Sequence, residues 1–107
     1  MNDIKEILIF DYCKSFAENK DIARELRLQH IFPEVKNKKE VILDFNRVDA
    51  TTQSFVHALI SDVIRKYGQD TIDLMLFKNC NSKVRAIIEI VIDYMQDISR
   101  KEIKIDY

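Results

Sequence analysis

His57 follows Ser54 by three residues. On a helix that spacing places a base and a hydroxyl nucleophile on adjoining turns of one face, the minimal pair of a hydrolase. The same i, i+3 spacing also arises by chance, and no glycine stands nearby to shape an oxyanion site, so the plainer reading is a partly exposed helical histidine. His30, the other histidine, stands apart. Cys13 and Cys80 form no CxxC pair and read as reduced thiols. Cys80 precedes a helix start, a position that can lower a thiol pKa, but it reads as an inert small residue. Glu89, Asp93 and Asp97 recur at helical spacing, a row able to touch a divalent cation but ordinarily the solvated face of an amphipathic helix. Lys36, Lys38 and Lys39 form a basic turn that could join Arg24 and Arg27 in a phosphate-binding patch, but the net charge gives that no support and charged turns are usually only solvated. No catalytic, metal or cofactor residue is assigned, and the chain reads as non-enzymatic.

Composition narrows the field further. One glycine, Gly68, excludes both the three-glycine dinucleotide fingerprint and the Walker A loop. With 107 residues, 47% of them hydrophobic and 33% charged, the chain has the makeup of one soluble domain spanning residues 1–107. Its formal net charge of −1 argues against nucleic acid or an anionic membrane as the partner. No apolar run approaches the roughly 20 residues that cross a bilayer, and Ile87 to Ile92 is interrupted by Glu89. Met1-Asn2-Asp3 opens without the features of a signal peptide, so a cytoplasmic location is expected.

Hydrophobic patterning supplies the elements that would position any site. Lys5 to Phe10 reads as a first strand and Asp11 to Asn19 as a connection, although Ser15-Phe16-Ala17-Glu18 has capping-box spacing. Asp21 to His30 reads as a helix ended by Phe32-Pro33, with Arg24, Glu25 and Arg27 away from its apolar face. Val41 to Phe45 is a nearly continuous apolar strand, the pattern of a strand covered on both faces. Asn46 to Thr52 is a polar loop, Gln53 to Tyr67 an amphipathic helix, and Gly68 its terminating residue. Ile72 to Phe77 reads as a third strand. A last helix carries the stripe Val84, Ile87, Ile88, Val91, Ile92 and Met95, and Lys101 to Tyr107 is an edge strand or a frayed tail. The order β-α-β-α-β-α predicts an α/β domain with a mostly parallel or mixed sheet packed by helices. Function in such sheets gathers at the carboxyl ends of the strands, here Asp44 to Ser54 and Asn79 to Ser82.

The stretch from Val41 to Tyr67 is the most distinctive. It runs from a buried strand ending in Asp44, through a short loop, to the hydroxyl-rich helix start Thr51-Thr52-Gln53-Ser54-Phe55. Hydroxyls there meet free N–H groups and the positive end of the helix dipole, which suits a cap or an anion.

Leu43-Asp44-Phe45, Val48 in the loop and Ser54-Phe55 at the helix start resemble the STAS domain of bacterial anti-anti-sigma factors. They are closer to a STAS-like family of bacterial proteins with no assigned biochemical role. Ala23-Arg24-Glu25-Leu26 is similar to the helix before the central strand, and the resemblance covers about residues 15 to 95. In anti-anti-sigma proteins the helix start reads Asp-Ser-Ser-Gly, and its second serine is phosphorylated by a kinase related to histidine-kinase ATPases. Aligned without gaps, that serine falls on Ser54; Thr52 replaces the aspartate, Gln53 the first serine and Phe55 the glycine. The resemblance implies a single STAS-like domain acting as a regulatory interaction module for an ATPase of the histidine-kinase type. It assigns partner binding to Asp44, Asn46, Asp49, Thr51, Thr52, Gln53, Ser54 and Phe55, with Ser54 the phosphorylation candidate. An adaptor or inhibitor in a phage-defence or toxin–antitoxin-like pair is the alternative, and a nucleic-acid-binding regulator ranks below it.

Overall fold

The computed structural model describes the backbone of residues 4–105 and the side chains of residues 4–96. Strand β1 (Lys5–Leu8) is followed by a short helix α1 (Ile9–Cys13), a two-residue strand β2 (Phe16–Ala17) and helix α2 (Lys20–Leu26). A π-helical turn, Arg27–Ile31, joins α2 to α3 (Phe32–Lys36). Strand β3 (Val41–Asp44), a second two-residue strand β4 (Ala50–Thr51) and the long helix α4 (Gln53–Tyr67) come next. A 3-10 turn over Gln69–Leu74 leads into β5 (Met75–Lys78), and α5 (Ser82–Ile105) closes the chain.

The main sheet is parallel throughout, in the order β1-β3-β5, with Leu8, Asp44 and Lys78 in register at its carboxyl edge. A second parallel ladder pairs β2 with β4 through Phe16↔Ala50 and Ala17↔Thr51. The alternating α/β order read from the sequence is thus the order of the fold.

One face of the sheet carries the core. Ile7, Val41, Leu43, Phe45 and Met75 are buried in one cluster with Phe55, Val56, Leu59, Ile60 and Val63 of α4 and Val84, Ile88, Val91 and Met95 of α5. Burying side chains of these types stabilises the fold by about 1.5–3 kcal/mol each relative to leaving them exposed, which is why the 3.6-residue spacing of α4 is strict. The opposite sheet face remains open. Leu8 is 44% and Leu76 37% exposed, and Glu6 and Lys78 bridge it with a 3.6 Å ion pair. The expectation that β3 is covered on both faces is therefore corrected: Ile42 on the open face is only half-buried.

Several other elements depart from the sequence reading, each for a local reason. β1 stops at Leu8, because Ile9 and Phe10 turn into α1 to bring Ile9 fully into the core. Pro33 does not end the helix before it. The π turn lets the Phe32 N–H reach back to the Arg27 carbonyl, and this wider register accommodates a ring that has no N–H and would crowd a regular turn. The extra residue also rephases the helix: Leu26 and Ile31, five apart, are both buried, and Arg27 turns inward rather than lying on the polar face. Gln69–Leu74 winds into a 3-10 turn, which delays β5 to Met75. Residues 101–105 continue α5 rather than forming an edge strand; the last two positions of that expectation, 106–107, and the side chains of the segment lie outside the described residues.

Gly68 closes α4 with φ +99° and ψ 169°, a region open to glycine almost alone, while its N–H bonds the Ile64 carbonyl at 2.8 Å. Among the described residues, no helix is long and apolar enough to cross a membrane.

Candidate functional site

The loop after β3 is held from three sides. At its root, Asp44 Oδ1 accepts from the Asn46 N–H at 2.9 Å and from Asn79 Nδ2 at 3.0 Å. The carboxylate is 6% exposed. Burial raises its pKa, but the bonds from Asn79 and Asn46, with Glu6 and Lys78 adding, outweigh this and leave it below the ordinary carboxylate value. On the second side, Ser15 and Ala17 carbonyls receive the Asp49, Ala50 and Thr52 N–H groups at 2.7–3.3 Å, and Thr51 Oγ1 donates to the Ala17 carbonyl at 2.7 Å. On the third, Asn81 Nδ2 donates to the Asp49 carbonyl at 2.9 Å and the Val48 carbonyl at 3.4 Å, while its Oδ1 caps α5 by accepting the Val84 N–H at 2.9 Å. Between them, Val48 plugs into the core at 2% exposure, and Arg47, held at φ +71°, lays its guanidinium over the Phe10 ring at 4.1 Å.

The strand-end segments Asp44 to Ser54 and Asn79 to Ser82, expected to form one edge, are thus bonded to each other through Asn79 and Asn81. The individual side chains divide sharply. Asp44, Thr51 and Phe55 are buried, with Phe55 at 0% exposure, so they shape the surface from beneath and offer no side chain to a partner. Asn46 and Asp49 are exposed on the loop, and Gln53 and Ser54 are exposed at the start of α4. Thr52 is the helix cap: its Oγ1 accepts the Phe55 N–H at 3.1 Å. Ser54 has no such duty.

Ser54 and Gln53 line a groove of about 430 Å3 between α4 and α5. Its other walls are Lys20, His57, Ala58, Val91 and two exposed apolar residues, Ile90 (48%) and Tyr94 (54%). His57 packs its ring 6.3 Å from that of Tyr94. The sequence reading missed Lys20, Ile90 and Tyr94. The last two carried a signal, since they sit four apart on α5 outside its buried stripe.

The remaining chemistry-bearing residues stay apart from this groove. Glu89 pairs with Arg85 at 3.4 Å, and among the described residues no group of histidine, cysteine and carboxylate side chains is placed to hold a metal. The Asp97 side chain lies outside the described residues. Cys80 shows no activation: burial pushes its pKa up and Asp44 pushes it further, against the pull of Arg85. Burial raises Cys13 to about 11.

Residues 23–85 match the family model described as the STAS-like domain of unknown function (DUF4325). No curated protein and no solved structure matches the chain. Since the match covers more than half of its length, the chain belongs to this STAS-like family.

Proposed function

We propose that this STAS-like domain is a non-enzymatic regulatory module that docks a partner protein on the α4–α5 groove and the adjoining loop. The partner in this reading is an ATPase of the histidine-kinase type, and phosphorylation of Ser54 switches docking. One observation carries the reading: Ser54 is exposed, caps nothing, and lines a groove with apolar walls at Ile90 and Tyr94. A kinase would transfer the γ-phosphoryl group of ATP to Ser54 Oγ, releasing ADP, with the hydroxyl proton passing to a base on the kinase. The product carries about −1.5 to −2 charges at the open first turn of α4, where the helix dipole and Lys20 stabilise it in the free domain. Against a docked apolar partner the same charge has to be desolvated, so phosphorylation favours release.

The test is a pull-down from cell extract with tagged wild type, Ser54→Ala and Ser54→Asp, read by mass spectrometry. Recovery of an ATPase by wild type and Ser54→Ala, with loss from Ser54→Asp, supports the switch. Equal recovery by all three retains the docking module and removes Ser54 from its control. Recovery of a nuclease or toxin in place of an ATPase replaces the partner assignment with the adaptor reading.

A further inference from the structure

At the far end of α4 the fold assembles a cationic surface that the linear sequence disperses. Arg27, from the π turn, is buried, and its Nη1 donates to the Ala58 carbonyl at 2.5 Å and lies 3.4 Å from Asp62. Arg65 approaches the same carboxylate from outside at 3.3 Å. Two guanidinium groups therefore share one acid, which leaves an uncompensated positive charge, and the Arg27 Nε is buried without a hydrogen-bond partner. Lys66 adds a further charge. Its Nζ lies 5.4 Å from the Phe32 ring centre and 5.7 Å from that of Tyr67, so the aromatic pair fixes the ammonium in place.

These residues rim two shallow hollows that meet at Phe32. One, of about 360 Å3, lies between Arg27, Asp62, Arg65 and Lys66, with Leu28 on its wall at 45% exposure. The other, of about 400 Å3, is bounded by Pro33, Lys36 and Tyr67. Among the described residues, Asp62 is the one carboxylate lining either hollow, and it is already engaged.

We infer that this surface is a second docking site, separate from the Ser54 groove, for an acidic amphipathic peptide segment of a partner protein. Its apolar side chain would pack between Leu28 and Phe32, and its carboxylates would pair with Arg65, Lys66 and Lys36. Charge complementarity selects acid. The exposed leucine beside the cations selects a peptide over a free anion, which would leave that apolar surface wet. Nucleic acid fits less well, because Lys66 and Arg27 already stand over the ring on which a base would stack.

The test is panning of a phage-displayed library of 12-residue peptides on the intact protein, with counter-selection on the double variant Arg65→Glu/Lys66→Glu. Both positions are exposed, so the variant should keep the wild-type circular dichroism and a cooperative melt, with a melting temperature lowered by a few degrees because the Asp62 pair is lost and two acids enter the last turn of α4. Peptides retained by wild type and lost on the variant should be rich in Asp and Glu around a leucine or aromatic residue. One such peptide, labelled and titrated by fluorescence anisotropy, should bind the double variant at least ten-fold more weakly and Ser54→Asp unchanged. The proposal is overturned if no peptide distinguishes the two proteins, or if the discriminating peptides lack acidic enrichment. A labelled 12-nucleotide single strand that binds more tightly than the peptides and is lost on the variant would also overturn it.

Discussion

Asn81 is the residue whose removal should most directly loosen the loop of the candidate site. It holds three partners at once: the Val84 N–H on its Oδ1, and the Asp49 and Val48 carbonyls on its Nδ2. Substitution by alanine removes a helix cap, worth about 1 kcal/mol, and a side-chain-to-backbone bond, worth about 1 kcal/mol net. The Asp49 side of the loop is exposed, so the carbonyl left behind finds water and incurs no full burial penalty. The expected loss is therefore about 2 kcal/mol. For a domain of this size, with a urea m-value of about 1.3 kcal/mol/M, this moves the unfolding midpoint down by about 1.5 M. Asn81→Ser separates the two parts, since serine still caps α5 but cannot reach the loop; it should lose about 1 kcal/mol. Urea titration of the three proteins by circular dichroism gives the stabilities, and amide exchange at Val48 to Ala50 should accelerate in both variants. A midpoint for Asn81→Ala within about 0.4 M of wild type would refute the clamp. A serine variant as unstable as the alanine variant would refute the division between cap and loop.

Four further outcomes are expected. Gly68→Ala should cost about 1–3 kcal/mol in urea unfolding, although an added Cβ meets nothing within 4 Å, because the cost lies wholly in the φ of +99°. Asp44 has a folded pKa below its unfolded value, so its contribution is present above the ordinary carboxylate pKa and is lost as pH falls through the folded one; the urea midpoint of wild type should fall more steeply between pH 5 and pH 3 than that of Asp44→Asn, and equal slopes would contradict the network. With Cys13 raised to about 11, roughly one thiol in a thousand is ionised at pH 8, so a thiol reagent should label it in native protein roughly one- to two-hundred-fold more slowly than in urea. Phe55→Ala should cost about 3–5 kcal/mol by opening a cavity in the core, whereas Ser54→Ala should stay within about 0.5 kcal/mol of wild type.

The legible parts of this fold were those where one local signal sufficed. Gln53–Tyr67 carries an uninterrupted apolar period, a capping threonine and a terminal glycine, and the helix runs between those limits. β2 and β4 were hidden because a two-residue ladder has no periodicity; it exists only because Ser15 and Ala17 carbonyls meet the loop after β3. The π turn was hidden behind Pro33, read as a stop, although the five-residue gap between Leu26 and Ile31 was its trace. β3 misled in the other direction, since Ile42 supplied the apolar continuity of a doubly covered strand while facing an open side of the sheet. In the candidate site, Asp44 was legible as the end of β3 and Phe55 as part of the first turn of α4, whereas Thr51, read as loop and helix start, lies in β4. Whether such a side chain points out or in depends on partners such as Asn79 and Ala17 that lie far away in sequence.

That division bears on why the proposed switch is assigned to Ser54 rather than to a neighbour. Thr51 is buried with its hydroxyl donated to Ala17, so a phosphate there would break the β2–β4 ladder and have to enter the core. Thr52 supplies the oxygen that caps α4, and esterifying it would alter the one side-chain acceptor at the helix start. Ser54 differs from both. It is exposed, its hydroxyl holds no element together, and it lies in the first turn, where the dipole favours negative charge. A switch that changes binding while leaving the fold intact requires that combination, and among the three hydroxyls at the start of α4 only Ser54 has it.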